Sequence, residues 1–237
     1  MRQFHAAHPG ITGRAFARGG SYDQIAALVP PDARVLDLAC GDGVLLAKLG
    51  PHAIGLDVSR EELGRIPRGV QGRAQALPFA DASFDVCTCH LAFMLFDEVD
   101  RVVAELARVL VPGGAWIALL GGGPTATGDD AFHRFLAILA EHARAPLRLG
   151  EPRARTERGW QELFAGWREV SFERLEIDLG GSFDEVWAFL GASYEVPAPS
   201  ADAIRDQLRA ATAGITDATG SIPCQVVTWL ARAVRAS

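Results

Sequence analysis

Asp37, Gly41, Gly43 and Asp57 are the residues whose types and spacing could do chemistry: two carboxylates around a glycine turn. Asp37 lies in the run Val35-Leu36-Asp37-Leu38, whose β-branched and leucine side chains suit a strand covered on both faces. Gly41 and Gly43 allow backbone angles, or a close ligand approach, that a Cβ would obstruct. Residues 44–49 then read as a short helix stopped by Gly50-Pro51, and its leading N–H groups lack internal partners and can meet a polar ligand. A dinucleotide fingerprint needs a third glycine where Leu46 stands, and a phosphate loop needs Gly-Lys-Ser or Gly-Lys-Thr, whereas Lys48, the only lysine, stands alone. The turn speaks for a nucleotide-like ligand and against NAD or a nucleoside triphosphate.

Asp37-Leu38-Ala39-Cys40-Gly41-Asp42-Gly43 resembles motif I of the class I S-adenosylmethionine-dependent methyltransferases, in which a strand-end acid precedes Gly-x-Gly. Three more stretches resemble that family in its order. Ile54-Gly55-Leu56-Asp57-Val58-Ser59 is similar to its second strand, ending in an acid that accepts from both ribose hydroxyls. Leu77-Pro78-Phe79-Ala80-Asp81-Ala82-Ser83-Phe84-Asp85-Val86 resembles its loop and fourth strand, and Glu105-Leu106-Ala107-Arg108-Val109-Leu110-Val111-Pro112-Gly113-Gly114 the helix and turn before its fifth. The resemblance implies an α/β, Rossmann-like fold. It has a seven-stranded, mostly parallel sheet with helices on both faces, an antiparallel last strand and a helical cap insertion before that strand.

It also implies S-adenosyl-L-methionine as cofactor, with S-adenosyl-L-homocysteine as product, held by Tyr22, Asp37, Ala39, Gly41, Gly43, Asp57, Val58 and His90. Relatives place an acid followed by alanine in the loop at 73–79, where the carboxylate accepts from the adenine amino group. This chain has Arg73, which donates but cannot accept, so the contact is assigned to the Ala74 backbone and the Gln75 side chain.

The positioning elements follow from pattern. Tyr22 opens a helix reaching Val29; residues 52–56 form a strand, Ser59 caps the next helix, and Val70 lies in a weak third strand. Residues 84–89 give a central strand with His90 directly after it, and Asp97 caps a helix whose valines and leucines recur at helical spacing. Strand 115–120 ends in Gly121-Gly122-Gly123, a hinge or a place of close approach. Beyond it come an amphipathic helix at 129–143, a solvated Arg/Pro-rich loop at 146–158 and a short helix at 160–167. A strand at 170–179, a capping box at Ser182 to Glu185, a helix at 201–211 and a closing strand at 223–233 complete the chain. One domain over 1–237 is expected, with an arm at 1–21, a cofactor half at 34–123 and a cap at 182–215.

The 237 residues and 49% hydrophobic content support one well-buried domain with an insertion. A net charge of −6 speaks against a broad nucleic-acid surface. No apolar stretch is long enough to span a membrane and the first residues show no leader, so the expected setting is cytoplasmic. Cys40, Cys87, Cys89 and Cys224 fit no zinc spacing and read as reduced core thiols; no metal is expected.

His90, at a strand's carboxyl end, is the first candidate general base, with His5, His8 and His133 behind it. Phe183, Trp187 and Tyr194 are candidates for a substrate pocket in the cap, and cap core accounts for them equally. Together these features point to methyl transfer onto a small organic metabolite, natural-product biosynthesis included. Two alternatives stay open: a cyclase or isomerase that binds the cofactor without consuming it, and a non-catalytic binding subunit.

Overall fold

The computed structural model describes residues 11–64, 66–142, 150–194, 196 and 198–236. His5 and His8 lie outside the described residues. Among the described residues seven strands, β1 (Val35–Leu38), β2 (Ala53–Asp57), β3 (Gly69–Gln71), β4 (Phe84–His90), β5 (Leu110–Gly123), β6 (Arg168–Asp178) and β7 (Gln225–Val234), form one sheet in the order β3-β2-β1-β4-β5-β7-β6. The pairs β1/β2, β1/β4, β2/β3 and β4/β5 are parallel. The last strands are antiparallel: Gly113 N–H donates to Arg235 O while Arg235 N–H donates to Gly114 O, and Gly181 pairs with Ile222 in antiparallel sense. The architecture is the expected Rossmann-like one.

By contact the chain divides into two compact units. The larger takes residues 21–122, 150–175 and 228–236. All four residues of β1 and most of β4 are buried, as parallel strands covered on both faces require. Helix α4 (Val99–Val109) turns Val99, Val102, Leu106 and Val109 inward at helical spacing, and these belong to one core with Leu36, Leu38, Cys87, Cys89 and Trp116. Each such side chain contributes about 1.5–3 kcal/mol by leaving water. Preceding α4 are α2 (Ser21–Ala26) and α3 (Arg60–Leu63), the latter capped by Ser59 Oγ accepting from Glu62 N–H.

The smaller unit takes residues 11–20, 123–142 and 176–227, and so contains the segment expected to be a cap. It holds α1 (Ile11–Arg18), α5 (Ala131–His142), α7 (Phe183–Ser193) and α8 (Ala201–Thr212). The expected capping box starts α7: Ser182 Oγ accepts from Glu185 N–H and Glu185 Oε2 accepts from Ser182 N–H. Rings join the helices, Phe16 to Phe189 between α1 and α7, and Phe132 and Phe135 of α5 to Tyr194 just beyond α7.

Several elements differ from the sequence-based expectation. Residues 44–49 make turns and no regular helix, with Ala47 N–H on Gly43 O but Lys48 N–H on Leu45 O, because six residues before Gly50-Pro51 do not repay helix nucleation. Helix α4 starts from Glu98 (φ 51°) without a side-chain cap, not from Asp97, whose carbonyl accepts from Gln75 Nε2. Strand β4 runs through His90, and β5 starts at Leu110, its Pro-Gly-Gly drawn into the ladder by Arg235. The supposed loop before residue 158 is structured where described. Pro152–Arg155 is a 3-10 turn with Ala154 buried and its carbonyl taken by Trp160 Nε1, while Arg153 pairs with Asp100 and Glu151. Helix α6 follows at Glu157–Leu163, capped by Thr156, and so ends earlier than expected.

Candidate cofactor site

The carboxyl ends of β1, β2 and β4 carry most of the candidate residues, all within the larger unit. Register sets Asp37 opposite Thr88, and the Thr88 hydroxyl donates to Asp37 Oδ1 at 2.8 Å. Asp37 is 1% exposed. Burial pushes its pKa up to about 7; the Thr88 hydrogen bond opposes that shift and the nearby Asp57 charge adds to it. Thr88, a polar residue inside an apolar strand, was the available signal for this pair.

After β1 the chain turns through left-handed backbone at Ala39 (φ 53°), Gly41 (φ 52°) and Gly43 (φ 81°). A Cβ on Gly41 would meet nothing within 4 Å, so the turn opens onto free space. Asp57 ends β2, and its two oxygens accept from Gly41 N–H at 2.9 Å and Ser59 N–H at 2.8 Å. One bond on each oxygen leaves further lone pairs on both. Val58, the next residue, is 43% exposed, unusual for a valine.

Ala74 is buried, and Gln75 Nε2 donates to Asp97 O at 2.8 Å, whereas Arg73 is exposed. The loop after them is braced by a pair in α4. Glu105 Oε2 accepts from Leu77 N–H at 2.6 Å, and Arg108 donates to Phe79 O, Leu77 O, Asp81 and Glu105. The Glu-x-x-Arg spacing, which puts both on one helix face, was the signal for this brace.

His90 ends β4. Its Nε2 lies 2.9 Å from Ser21 Oγ, and the Tyr22 ring stacks on it with centroids 4.0 Å apart and planes at 21°. Desolvation lowers the imidazole pKa to about 3. Tyr22 is buried, and burial followed by the charges of Asp42 and Asp37 raises its phenol well above the ordinary range.

The other candidates belong to the smaller unit. Trp187 and Tyr194 both pack on Phe135, at 6.4 and 5.7 Å between centroids, whereas Phe183 lies under the Arg209 guanidinium at 3.9 Å. The rings of α5 that hold the pair read in sequence only as apolar positions of an amphipathic helix. His133 Nδ1 meets Asp130 Oδ1 at 2.7 Å and its Nε2 meets Thr125 O at 3.0 Å, so both ring nitrogens are engaged. All four cysteines are buried and free of disulfides. No helix among the described residues is long and apolar enough to cross a membrane.

Comparison with known proteins places this geometry. Residues 36–118 match a family model described as a methyltransferase domain. An uncharacterized methyltransferase of Synechocystis is 38% identical over 97 residues, 36% of this chain and 46% of the relative, so the match spans about half of that protein's length. A demethylmenaquinone methyltransferase of Renibacterium salmoninarum is 30% identical over 170 residues, 61% of this chain and 70% of the relative. The solved YcgJ protein of Bacillus subtilis shares the fold with a TM-score of 0.59 at 22% identity, over 92% of this chain and 98% of that one. The chain belongs to the class I S-adenosylmethionine-dependent methyltransferases, a family of enzymes.

Proposed function

We propose that this protein transfers a methyl group from S-adenosyl-L-methionine to a small organic acceptor of specialised metabolism, releasing S-adenosyl-L-homocysteine. The carrying observation is the acidic cup at the ends of β1 and β2, where buried Asp37 and Asp57 stand beside a left-handed turn open on one side. Two carboxylates close together with one held near neutral pH suit a cationic ligand, whose charge relieves their repulsion.

The residues fit the cofactor group by group. Asp57 has lone pairs left for adjacent ribose hydroxyls. Val58 offers exposed apolar surface to the adenine ring, with the Ala74 backbone and Gln75 at its edge. Asp37 and Tyr22 serve the methionine end, and Ala39, Gly41 and Gly43 let backbone come close. When bound, the cofactor supplies a methyl carbon activated by its sulfonium. The chain's own task is to align the acceptor and exclude water. Within the smaller unit, Trp187 and Tyr194 on their shared ring cluster stay the candidate acceptor-binding rings, whereas Phe183 is buried beneath the Arg209 guanidinium. The Renibacterium relative, named for demethylmenaquinone, supports a small organic acceptor.

The test is calorimetric titration with S-adenosylmethionine of wild type and Asp57→Ala, then a metabolite panel assayed for methylated product and S-adenosylhomocysteine. Binding by wild type, weakened in the variant, with product formed, is expected. Equal binding by both proteins would sink the ribose assignment. Turnover without cofactor consumption would identify a cyclase or isomerase, and absence of binding a non-catalytic subunit.

A further inference from the structure

We propose that His90 is a positioning residue: hydrogen-bonded to Ser21 and stacked on Tyr22, it fixes the tyrosine beside the carboxyl end of β4. The inference rests on the methyltransferase reading of the site. Ser21 and Tyr22 open α2, a helix of six residues, too short to hold its own geometry. Their placement depends on tertiary anchors, and His90 supplies two at once. Its ring edge meets the fully buried Ser21 hydroxyl, and its face meets the Tyr22 ring. Phenylalanine at 90 keeps the face and loses the edge; asparagine keeps a polar edge and loses the face. Only an aromatic ring with a polar nitrogen serves both.

The same enclosure makes His90 a poor proton acceptor. Desolvation holds the imidazole neutral down to about pH 3, far below the pKa near neutrality that suits a general base. Tyr22, whose phenol is raised by burial first and then by the charges of Asp42 and Asp37, keeps its phenolic proton and so remains a hydrogen-bond donor. His90 therefore acts on the cofactor through Tyr22.

The experiment is a double-mutant cycle read by calorimetric titration with S-adenosylmethionine. Wild type, Tyr22→Ala, His90→Ala and the double variant are compared, with His90→Phe alongside and thermal melting of each. His90→Ala is expected to weaken binding about tenfold, the order that a stacked ring pair and a hydrogen bond are worth together. The double variant should bind no more weakly than Tyr22→Ala, because the effect passes through the tyrosine. His90→Phe, which keeps the ring face, should recover part of the loss. Unchanged binding by His90→Ala, or losses that add in the double variant, would overturn the proposal while leaving the cofactor site standing. If His90→Ala does not fold, the cycle of Tyr22→Ala with His90→Phe decides by the same criterion. Wild-type protein that binds no S-adenosylmethionine overturns the methyltransferase reading, and this inference with it.

Discussion

The strand-end cup of the larger unit and helices α5 and α7 of the smaller one are built by opposite means. The cup consists of buried carboxylates, left-handed backbone and directed hydrogen bonds, with Asp57 accepting from Gly41 and Ser59 and Asp37 from Thr88. The helical region consists of rings, with Phe132 and Phe135 fully buried and Tyr194 packed on both. A directed hydrogen bond demands one atom type at one place, whereas ring packing demands volume and tolerates exchange. The strand ends are accordingly intolerant of exchange, and the helices tolerant of it.

The contrast predicts which substitutions separate stability from binding. Phe135→Ala should cost about 3–5 kcal/mol of stability, as deletion of a fully buried ring does, while the protein that remains folded binds S-adenosylmethionine as wild type does. Urea unfolding and calorimetry at a temperature where the variant is folded check both halves. Lost affinity in the folded fraction would break the division. Asp57→Ala should instead strike binding, weakening the cofactor on the order of 100-fold, since charge-assisted hydrogen bonds are the strong ones. It should also destabilise the turn, whose Gly41 and Ser59 N–H groups lose their acceptor.

The same difference decided what was legible in the sequence. Asp37, Gly41, Gly43 and Asp57 announce themselves because few residue types can occupy left-handed backbone or a buried strand end, so identity and spacing survive as motif. The Rossmann-like, mostly parallel sheet followed from the family resemblance that the motif carries. Ser21 could not be read, because its partner His90 lies 69 residues away and a serine at a helix start already has a local explanation as a cap. Phe135 was read as one apolar position of an amphipathic helix, which is true and says nothing of Trp187 and Tyr194. The six residues after Gly43 were misread because apolar spacing alone cannot report that a helix is too short to nucleate.

Asp37 sharpens the idea that the cup is strained for a cation. A buried acid whose pKa rises from 3.8 to about 7 on folding is stabilising to leave protonated, so the free protein loses stability as pH climbs from near 4 to about 7. Asp37→Asn keeps the shape and removes the charge. It should flatten that window in urea unfolding and raise stability at pH 8 by on the order of 2 kcal/mol, while weakening S-adenosylmethionine about tenfold. Stability and affinity falling together at pH 8 would show that the carboxylate is not strained. Cofactor binding near pH 6 should release a proton in wild type, seen as a buffer-dependent heat, and none in the variant.

The smallest effect belongs to the polar clasp of the smaller unit. His133 donates toward Asp130 and Thr125 O, and Asp130 also accepts from Gln225 N–H at 2.6 Å. The Asp130 hydrogen bond raises the His133 pKa above its ordinary 6.5, burial opposing it and the Thr125 carbonyl and neighbouring carboxylates adding to it. A raised histidine contributes stability that is complete below about 6.5 and lost as pH rises through the folded value. His133→Gln should therefore cost roughly 1 kcal/mol at pH 6 and less at pH 9, measured as shifts in the urea midpoint. The windows of the two regions adjoin, Asp37 acting below neutrality and His133 from pH 6.5 upward, and each variant should erase one limb of the stability profile and leave the other. An equal cost at both pH values would mean that the clasp works through an uncharged imidazole, and the profile above pH 7 would then need another titrating group.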